Sequence, residues 1–369
     1  MRSGGIDGIG SYTRELLRRV ADEPGIQVQP VAWGRQLPRV PDDTGFKVQG
    51  LGSFSASLAW SCLTGNAFAG ARAMGQRIDL MHATDHLIPD FGRVPVVATI
   101  CDAIPLSHPQ WVSKRLRGLK NALWRRSAQG AAHIITISEF SRSEISRHFG
   151  IAPEGITAIP LGVDARWSVP VPTAQKADAL ARHGIDRPYL LIVGTLQPRK
   201  NIERALAAWH SLGADTRAHA RLVIVGRTGW RCDALVEGLR AQRWGPSVQW
   251  LRYLAGPDLI ALMQGATGLI VPSLYEGFGL PVLEAFAAGA PVAASQLTAV
   301  PEAAGDAALL FDPMDPQAIA QAMQRLLEDD ALRGRLREAG RDRVQTFTWE
   351  RTAQATLAVY RQVLSNMRD

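Results

Sequence analysis

Two glutamates eight residues apart, Glu276 and Glu284, bracket a glycine-bearing stretch within VPSLYEGFGLPVLEAFAAGAPV, residues 271–292. The run reads as the end of a buried strand, a turn through Gly277 and Gly279, and a helix opened by Pro281, which suits a first helical position because its missing N–H is no loss there. Glycine lets backbone amides approach a ligand closely, and the free N–H groups of a new helix favour an anion. An anion cradle between two acids able to hydrogen-bond hydroxyls is the chemistry a nucleotide-sugar needs. The same spacing also fits a plain turn with two solvated acids. A second group, Gly194-Thr-Leu-Gln-Pro-Arg199-Lys200-Asn201, follows an apolar run and opens another helix. An arginine–lysine pair at the carboxyl end of a strand can neutralise a leaving diphosphate, although a basic turn facing water looks alike in sequence.

Elements must bring these groups together, and the chain alternates short β-branched runs with helical patterns, as parallel βαβ units do. Strands are expected at Val28–Trp33, Ile78–His82, Val96–Ile100, His133–Ile137 and Thr157–Ile159, then at Tyr189–Val193, Leu222–Val225, Val248–Leu251, Gly268–Val271, Val292–Ala294 and Ala308–Phe311. At 369 residues the chain suits two domains. The first is expected over 1–165 and the second over 174–349. A linker over Ala165–Thr173 separates them, and a final helix from Trp349 to about Leu364 rejoins the first. The fold class is α/β, with two doubly wound Rossmann-like domains facing across a cleft at the carboxyl ends of their strands.

Composition excludes several classes. No apolar run reaches the length of a membrane span, and no secretory signal opens the sequence. Cys62, Cys101 and Cys232 form neither a CxxC pair nor a disulfide framework, consistent with a reducing cytoplasm. No Asp-x-Asp occurs, no His/Cys cluster has metal-ligand spacing, and neither a P-loop nor a Gly-x-Ser-x-Gly elbow is found. The formal net charge is +7. Between Ala103 and Ser138 there is no acid, while Lys114, Arg115, Arg117, Lys120, Arg125 and Arg126 interleave with Trp111, Leu116, Leu119, Leu123 and Trp124. A basic helix over 111–126 carrying tryptophans can lie on an anionic membrane surface; it also fits an ordinary surface helix. No helix-turn-helix, zinc or RNA-binding signature points to nucleic acid.

The run Glu276-Gly-Phe-Gly-Leu-Pro-Val-Leu-Glu284 resembles the E-x7-E signature of retaining glycosyltransferases of the GT-B fold, family 4 (glycosyl transferases group 1), and the resemblance extends over nearly the whole chain. It implies that Glu284 holds the donor ribose, that Glu276 lies against the transferred sugar, and that Gly277, Phe278, Gly279 and Leu280 meet the diphosphate and sugar. It places Arg199 and Lys200 on the donor phosphates, and Gly226–Trp230 beside the nucleotide. Arg252 stands where the family commonly has glycine near the base. In the first domain, Gly4-Gly5-Ile-Asp-Gly8-Ile-Gly10 is similar to the family's N-terminal glycine loop, which makes Gly8 and Gly10 donor-side residues. That loop ordinarily follows a central strand, and only Met1, Arg2 and Ser3 precede it here. The natural start is therefore expected upstream; an in-frame segment encoding a short apolar strand supports this, and a stop codon there refutes it.

Thr99-Ile100-Cys101-Asp102 resembles a segment that usually reads histidine–aspartate. Cys101 stands where the histidine would face the sugar, and Asp102 is the candidate for orienting the acceptor hydroxyl or serving as its base, or else a loop cap. His82, in His82-Ala-Thr-Asp85-His86, is an acceptor-side candidate. The implied activity is retaining, metal-independent transfer of a hexose, with mannose from GDP-mannose favoured, to a hydroxyl of a glycan or lipid-linked saccharide in surface-polysaccharide assembly. The nucleotide-sugar is a substrate, and no cofactor is expected. A sugar-nucleotide epimerase of the same fold and a non-catalytic nucleotide-sugar-binding or membrane-associated partner are the alternatives. The expected location is cytoplasmic, peripheral at the inner face of the membrane.

Overall fold

The computed structural model describes residues 8–33, 46–64, 66–68, 71, 74, 77–85, 88–111, 117–254 and 256–367. They fall into two compact units. The first comprises Met1–Gly162 and Trp349–Asp369, and the second is Val163–Thr348.

In the first unit β3 (Met81–Ala83), β4 (Val96–Thr99), β5 (His133–Thr136) and β6 (Ile156–Ala158) form a parallel sheet in that order. Met81 pairs with Val96, Val97 with His133 and Ile134 with Ile156. Every residue of β4 and β5 is buried, as expected of a parallel sheet covered on both faces. A separate parallel pair joins β1 (Val31–Ala32) to β2 (Gln49–Gly50). β2 was not expected: it is two exposed residues with no apolar alternation. Expected strand Ile78–His82 begins pairing only at Met81, since Ile78 packs on the core without joining the ladder. The Glu139–Phe149 helix is capped at Ser138, whose hydroxyl accepts the Ser141 N–H at 3.0 Å.

The final helix, Trp349–Asn366, belongs structurally to this unit. Its Val359 and Val363 pack with Val97, Ile135 and Ile159. Arg19 donates to Glu350 at 2.9 Å, and the Thr352 hydroxyl donates to the Pro160 carbonyl at 2.8 Å.

In the second unit six parallel strands run β12-β11-β10-β7-β8-β9. These are β7 (Tyr189–Val193), β8 (Arg221–Val225), β9 (Val248–Leu251), β10 (Gly268–Val271), β11 (Val292–Ser295) and β12 (Leu309–Phe311). Strand order reverses between β7 and β10, and such switch points are where open α/β sheets leave a crevice at the strands' carboxyl ends. Leu190, Ile192, Leu206, Trp209, Leu222, Ile224 and Met323 form the core on one face.

The stretch expected as a linker, Ala165–Thr173, is not free chain. Ala165–Trp167 is a 3-10 turn capped by Asp164, Trp167 is 4% exposed, and the boundary between the units falls before it, at Gly162/Val163. A bulky aromatic side chain finds more stabilisation in the second unit's core than in water.

Candidate active site

Arg199 and Lys200 follow β7, and Glu276 follows β10, so the switch point brings the predicted cations and the first glutamate together. The chain leaves β7 through Gly194 at φ 151°, where a Cβ would stand 3.2 Å from Lys200 Cε. At the end of the neighbouring β8, a Cβ on Gly226 would lie 1.9 Å from the Gly194 carbonyl oxygen. These two glycines let adjacent strand ends close up and leave a lane for the lysine. Pro198–Lys200 forms a 3-10 turn. Asn201 then takes the left-handed conformation at φ 57°, and its amide donates to the carbonyls of Pro272 at 3.0 Å and Pro313 at 2.7 Å. The helix opens at Ile202 as expected, with Asn201 just before it, and the Asn201 side chain also ties the β7 loop to those after β10 and β12.

Glu276 is 7% exposed, and its carboxylate receives three side chains. Arg199 Nη1 donates to Oε2 at 2.8 Å, while Lys200 Nζ and the Ser273 hydroxyl, the latter at 2.6 Å, donate to Oε1. Arg199 also holds the Tyr275 carbonyl at 2.9 Å, and the Glu276 N–H donates to the Thr298 hydroxyl at 3.1 Å. Burial alone would raise this carboxyl, but Lys200 and Arg199 outweigh it and bring it down to about 2. Burial in turn lowers the Lys200 ammonium below its ordinary value against the pull of Glu276. Ser273 and Thr298 were not singled out from sequence; a serine three residues before a glutamate carries no distinctive signal.

Gly277 and Phe278 lead to Gly279, which sits at φ 117° with its would-be Cβ 3.1 Å from Ala303. Only glycine fits there. The helix Leu280–Ala287 starts at once, with Pro281 second rather than first. Phe278 is buried, its ring 5.9 Å from Phe347. Glu284 lies on this helix, and burial pushes its carboxyl up to about 7; Arg166 and a hydrogen bond from the Trp167 side chain oppose that rise, and Asp164 adds to it. The two glutamates of one turn thus hold different protonation tendencies, the first locked as an anion and the second poised near neutrality.

Further along the same strand ends, the Arg227 guanidinium lies 4.0 Å over the Tyr253 ring, and Trp230 donates to Gln197 Oε1 at 3.1 Å. Arg252 faces Trp250 at 5.7 Å.

The candidates in the first unit form a second group. His82 uses both ring nitrogens, one with the Tyr360 hydroxyl and one with Thr99 Oγ1 at 2.8 Å, and Tyr12 reaches the same Thr99 oxygen at 2.9 Å. Burial lowers His82 to about 3, so the ring is neutral. Cys101 is a neutral thiol as well, raised to about 12 by burial and then by Asp102 and Asp85. Asp102 Oδ1 accepts the Ile104 N–H at 3.0 Å, the loop-capping arrangement. Gly8 and Gly10 lie in the opening turns of the Gly8–Ala21 helix rather than in a loop; Gly4 and Gly5 fall outside the described residues, as does His86.

The expected basic helix over 111–126 differs as well. Pro109–Trp111 is a 3-10 turn, 112–116 lie outside the described residues, and the helix is Arg117–Gln129. Its Trp124 turns inward to meet Phe149 edge-on at 4.7 Å, and Trp111 stacks on His108 at 4.4 Å. Leu119 is left as the exposed apolar residue, at 58%.

Residues 176–343 match the family described as Glycosyl transferases group 1, and residues 6–167 match Glycosyltransferase Family 4. The chain is 32% identical to the O-antigen chain mannosyltransferase B of Escherichia coli over 96% of each protein. It is 30% identical to the MMP alpha-(1->4)-mannosyltransferase of Mycolicibacterium hassiacum, over 66% of this chain and 57% of that one. In fold it resembles a sucrose-phosphate synthase from Thermosynechococcus elongatus, with a TM-score of 0.75 at 24% identity over 98% of this chain and 94% of that one. It also resembles Anabaena HepE, solved in complex with UDP, with a TM-score of 0.77 at 16% identity over 98% of each. With the switch-point cluster, both family matches and an end-to-end relative agreeing, the chain belongs to the family 4 glycosyltransferases, glycosyl transferases group 1, of GT-B fold.

Proposed function

We propose that this glycosyltransferase moves mannose from GDP-mannose to a hydroxyl of a glycan or lipid-linked saccharide, retaining the anomeric configuration and using no metal ion. The observation that carries the donor half is the convergence of Arg199, Lys200 and Glu276 at the switch point, beside the helix start at Gly279. Arg199 and Lys200 neutralise the departing diphosphate, and the amides of Gly277–Leu280 cradle it. Glu276 lies against the sugar, and Glu284 hydrogen-bonds the ribose. On the first unit Asp102 orients the acceptor hydroxyl or takes its proton, beside a Cys101 thiol that is not ionised at neutral pH.

Mannose and surface-polysaccharide assembly are favoured by the name of the E. coli O-antigen relative. No helix among the described residues is long and apolar enough to cross a membrane. A peripheral attachment is supported by the Arg117–Gln129 helix, where Leu119, Lys120, Arg125 and Arg126 are exposed together.

Transfer from radiolabelled GDP-mannose to a membrane extract, with and without EDTA, tests the reading. The expected result is a labelled, α-configured product formed equally in both, by protein that pellets with phosphatidylglycerol vesicles. An inverted anomer, or mannose transfer lost to chelation, refutes the corresponding claim.

A further inference from the structure

Glu276 is held twice, by its carboxylate and by its backbone. Arg199, Lys200 and Ser273 hold the carboxylate. The loop after β11 holds the backbone. Thr298 Oγ1 accepts the Glu276 N–H at 3.1 Å, and the Ala299 N–H donates to the Glu276 carbonyl at 3.4 Å. The peptide groups on both sides of Glu276 are thereby fixed, and because each is planar the Cα–Cβ direction between them has little freedom.

The loop that does this is strained. Thr298 stands at φ 60°, in the left-handed region that favours glycine. Among the described residues the other non-glycine positions at positive φ are Asn201, Arg231 and Gln242, none of them branched at Cβ. A β-branched residue there is an outlier, and such strain persists only where the surroundings hold it. Here they do. Directly after Thr298 the chain enters the Val300–Ala304 helix, whose Glu302 and Ala303 amides donate to the Ala299 carbonyl at 3.2 and 3.3 Å. At the far end of that helix Arg343 donates to the carbonyls of Glu302 at 2.6 Å and Ala303 at 3.3 Å, its guanidinium 5.2 Å over the Phe347 ring. Ala303 in turn backs Gly279. Glycine at 298 would remove the strain and the hydroxyl together. Threonine keeps the hydroxyl, and its γ-methyl restricts χ1 so that the oxygen has a set direction.

We infer that Thr298 is a positioning residue for Glu276: its hydroxyl fixes the Glu276 backbone, so that the carboxylate keeps its place against the donor sugar when the donor's phosphates draw on Arg199 and Lys200. This rests on the donor roles proposed above for those three residues. The two cations serve both Glu276 and the diphosphate, whereas the bond to Thr298 serves Glu276 in either state. A hydrogen bond from a backbone amide is directional, so losing it frees the orientation of the side chain as well as leaving a polar group unpaired.

Three replacements separate the hydroxyl from the strain. Thr298→Ala removes the hydroxyl and keeps the strain, Thr298→Gly removes both, and Thr298→Ser keeps the hydroxyl without the branch. Without any ligand, hydrogen exchange at the Glu276 amide, followed by NMR, should quicken about tenfold in T298A and T298G and stay at the wild-type rate in T298S. T298G should nonetheless melt above T298A, because glycine accepts the positive φ. Transfer from radiolabelled GDP-mannose to a membrane extract should lose about tenfold in kcat in both T298A and T298G, with T298S restoring it. GDP, which carries no sugar, should bind all three as it binds the wild type in calorimetry. A structural residue would tie rate to melting temperature, so a T298G that outperforms T298A overturns the proposal. Glu276 exchange unchanged in T298A and T298G overturns it equally. Should T298A not fold, T298G carries the exchange and transfer measurements. Failure of the underlying reading looks different: transfer that survives E276Q removes Glu276 from the sugar, and a wild-type protein that transfers no mannose removes the donor, while the exchange comparison still decides whether the hydroxyl holds the backbone. Transfer lost in E276Q but kept in T298A overturns Thr298 alone.

Discussion

Glu276 illustrates how a buried charge is kept. A carboxylate taken out of water is costly unless paired and hydrogen-bonded, and Arg199, Lys200 and Ser273 satisfy it. Replacing it by glutamine leaves two cations facing each other without their counter-charge. Glu276→Gln should lower unfolding free energy at pH 7 by about 3 kcal/mol in urea titrations. The folded-state value of this carboxyl, about 2, lies below its ordinary 4.5. Its contribution is therefore complete above pH 4.5 and disappears as pH falls towards 2. The gap between wild type and E276Q should close over that window; a gap constant down to pH 2 would mean that the charge is not what matters. The two glutamates and the Arg199–Lys200 pair were legible in sequence because acids around a glycine turn and cations after a strand are uncommon enough to stand out. Their direct pairing was not, since 76 residues separate Lys200 from Glu276 and only the strand order joins them.

Among the elements, strands buried on both faces were legible in advance: after their first residues, Tyr189 and Gly268, β7 and β10 consist of Leu, Ile and Val, and both occupy their expected residues. β2 and the Asp164–Trp167 turn were not. The first has no side-chain pattern, and the second is only Asp-Ala-Arg-Trp at the start of a Pro- and Ser-containing stretch, whose one informative residue is Trp167. The closeness of β7 and β8 at the site is also invisible to pattern reading, yet it rests on Gly226. An alanine methyl there meets the Gly194 carbonyl, backbone that no rotamer change can move. Gly226→Ala should cost about 3 kcal/mol or more by denaturant unfolding and displace the Lys200 loop. Gly334→Ala, in the middle of the Asp330–Val344 helix with open space around it, should instead stabilise by about 0.5–1 kcal/mol. Equal effects at the two sites would discredit the contact geometry.

On the scale of the whole molecule, the first unit is discontinuous in sequence, closed by the Trp349–Asn366 helix. Tyr360 meets His82, Glu350 meets Arg19, and Val359 and Val363 cover Val97 and Ile135. A chain ending at Thr348 should lose hydrogen-exchange protection in β4, β5 and the Gly8–Ala21 helix, while β7–β12 keep theirs. Protection retained throughout would show the helix to be an ornament. The same arrangement sets an order of events on the ribosome. The second unit is contiguous and complete once Thr348 has emerged, whereas the first must wait for the Trp349–Asn366 helix to be translated. Synthesis is vectorial and units generally fold as they appear, so the first unit's sheet, with its buried β4 and β5, spends the making of the whole Val163–Thr348 unit without its closing helix. That interval is where a nascent-chain chaperone would find its longest opportunity.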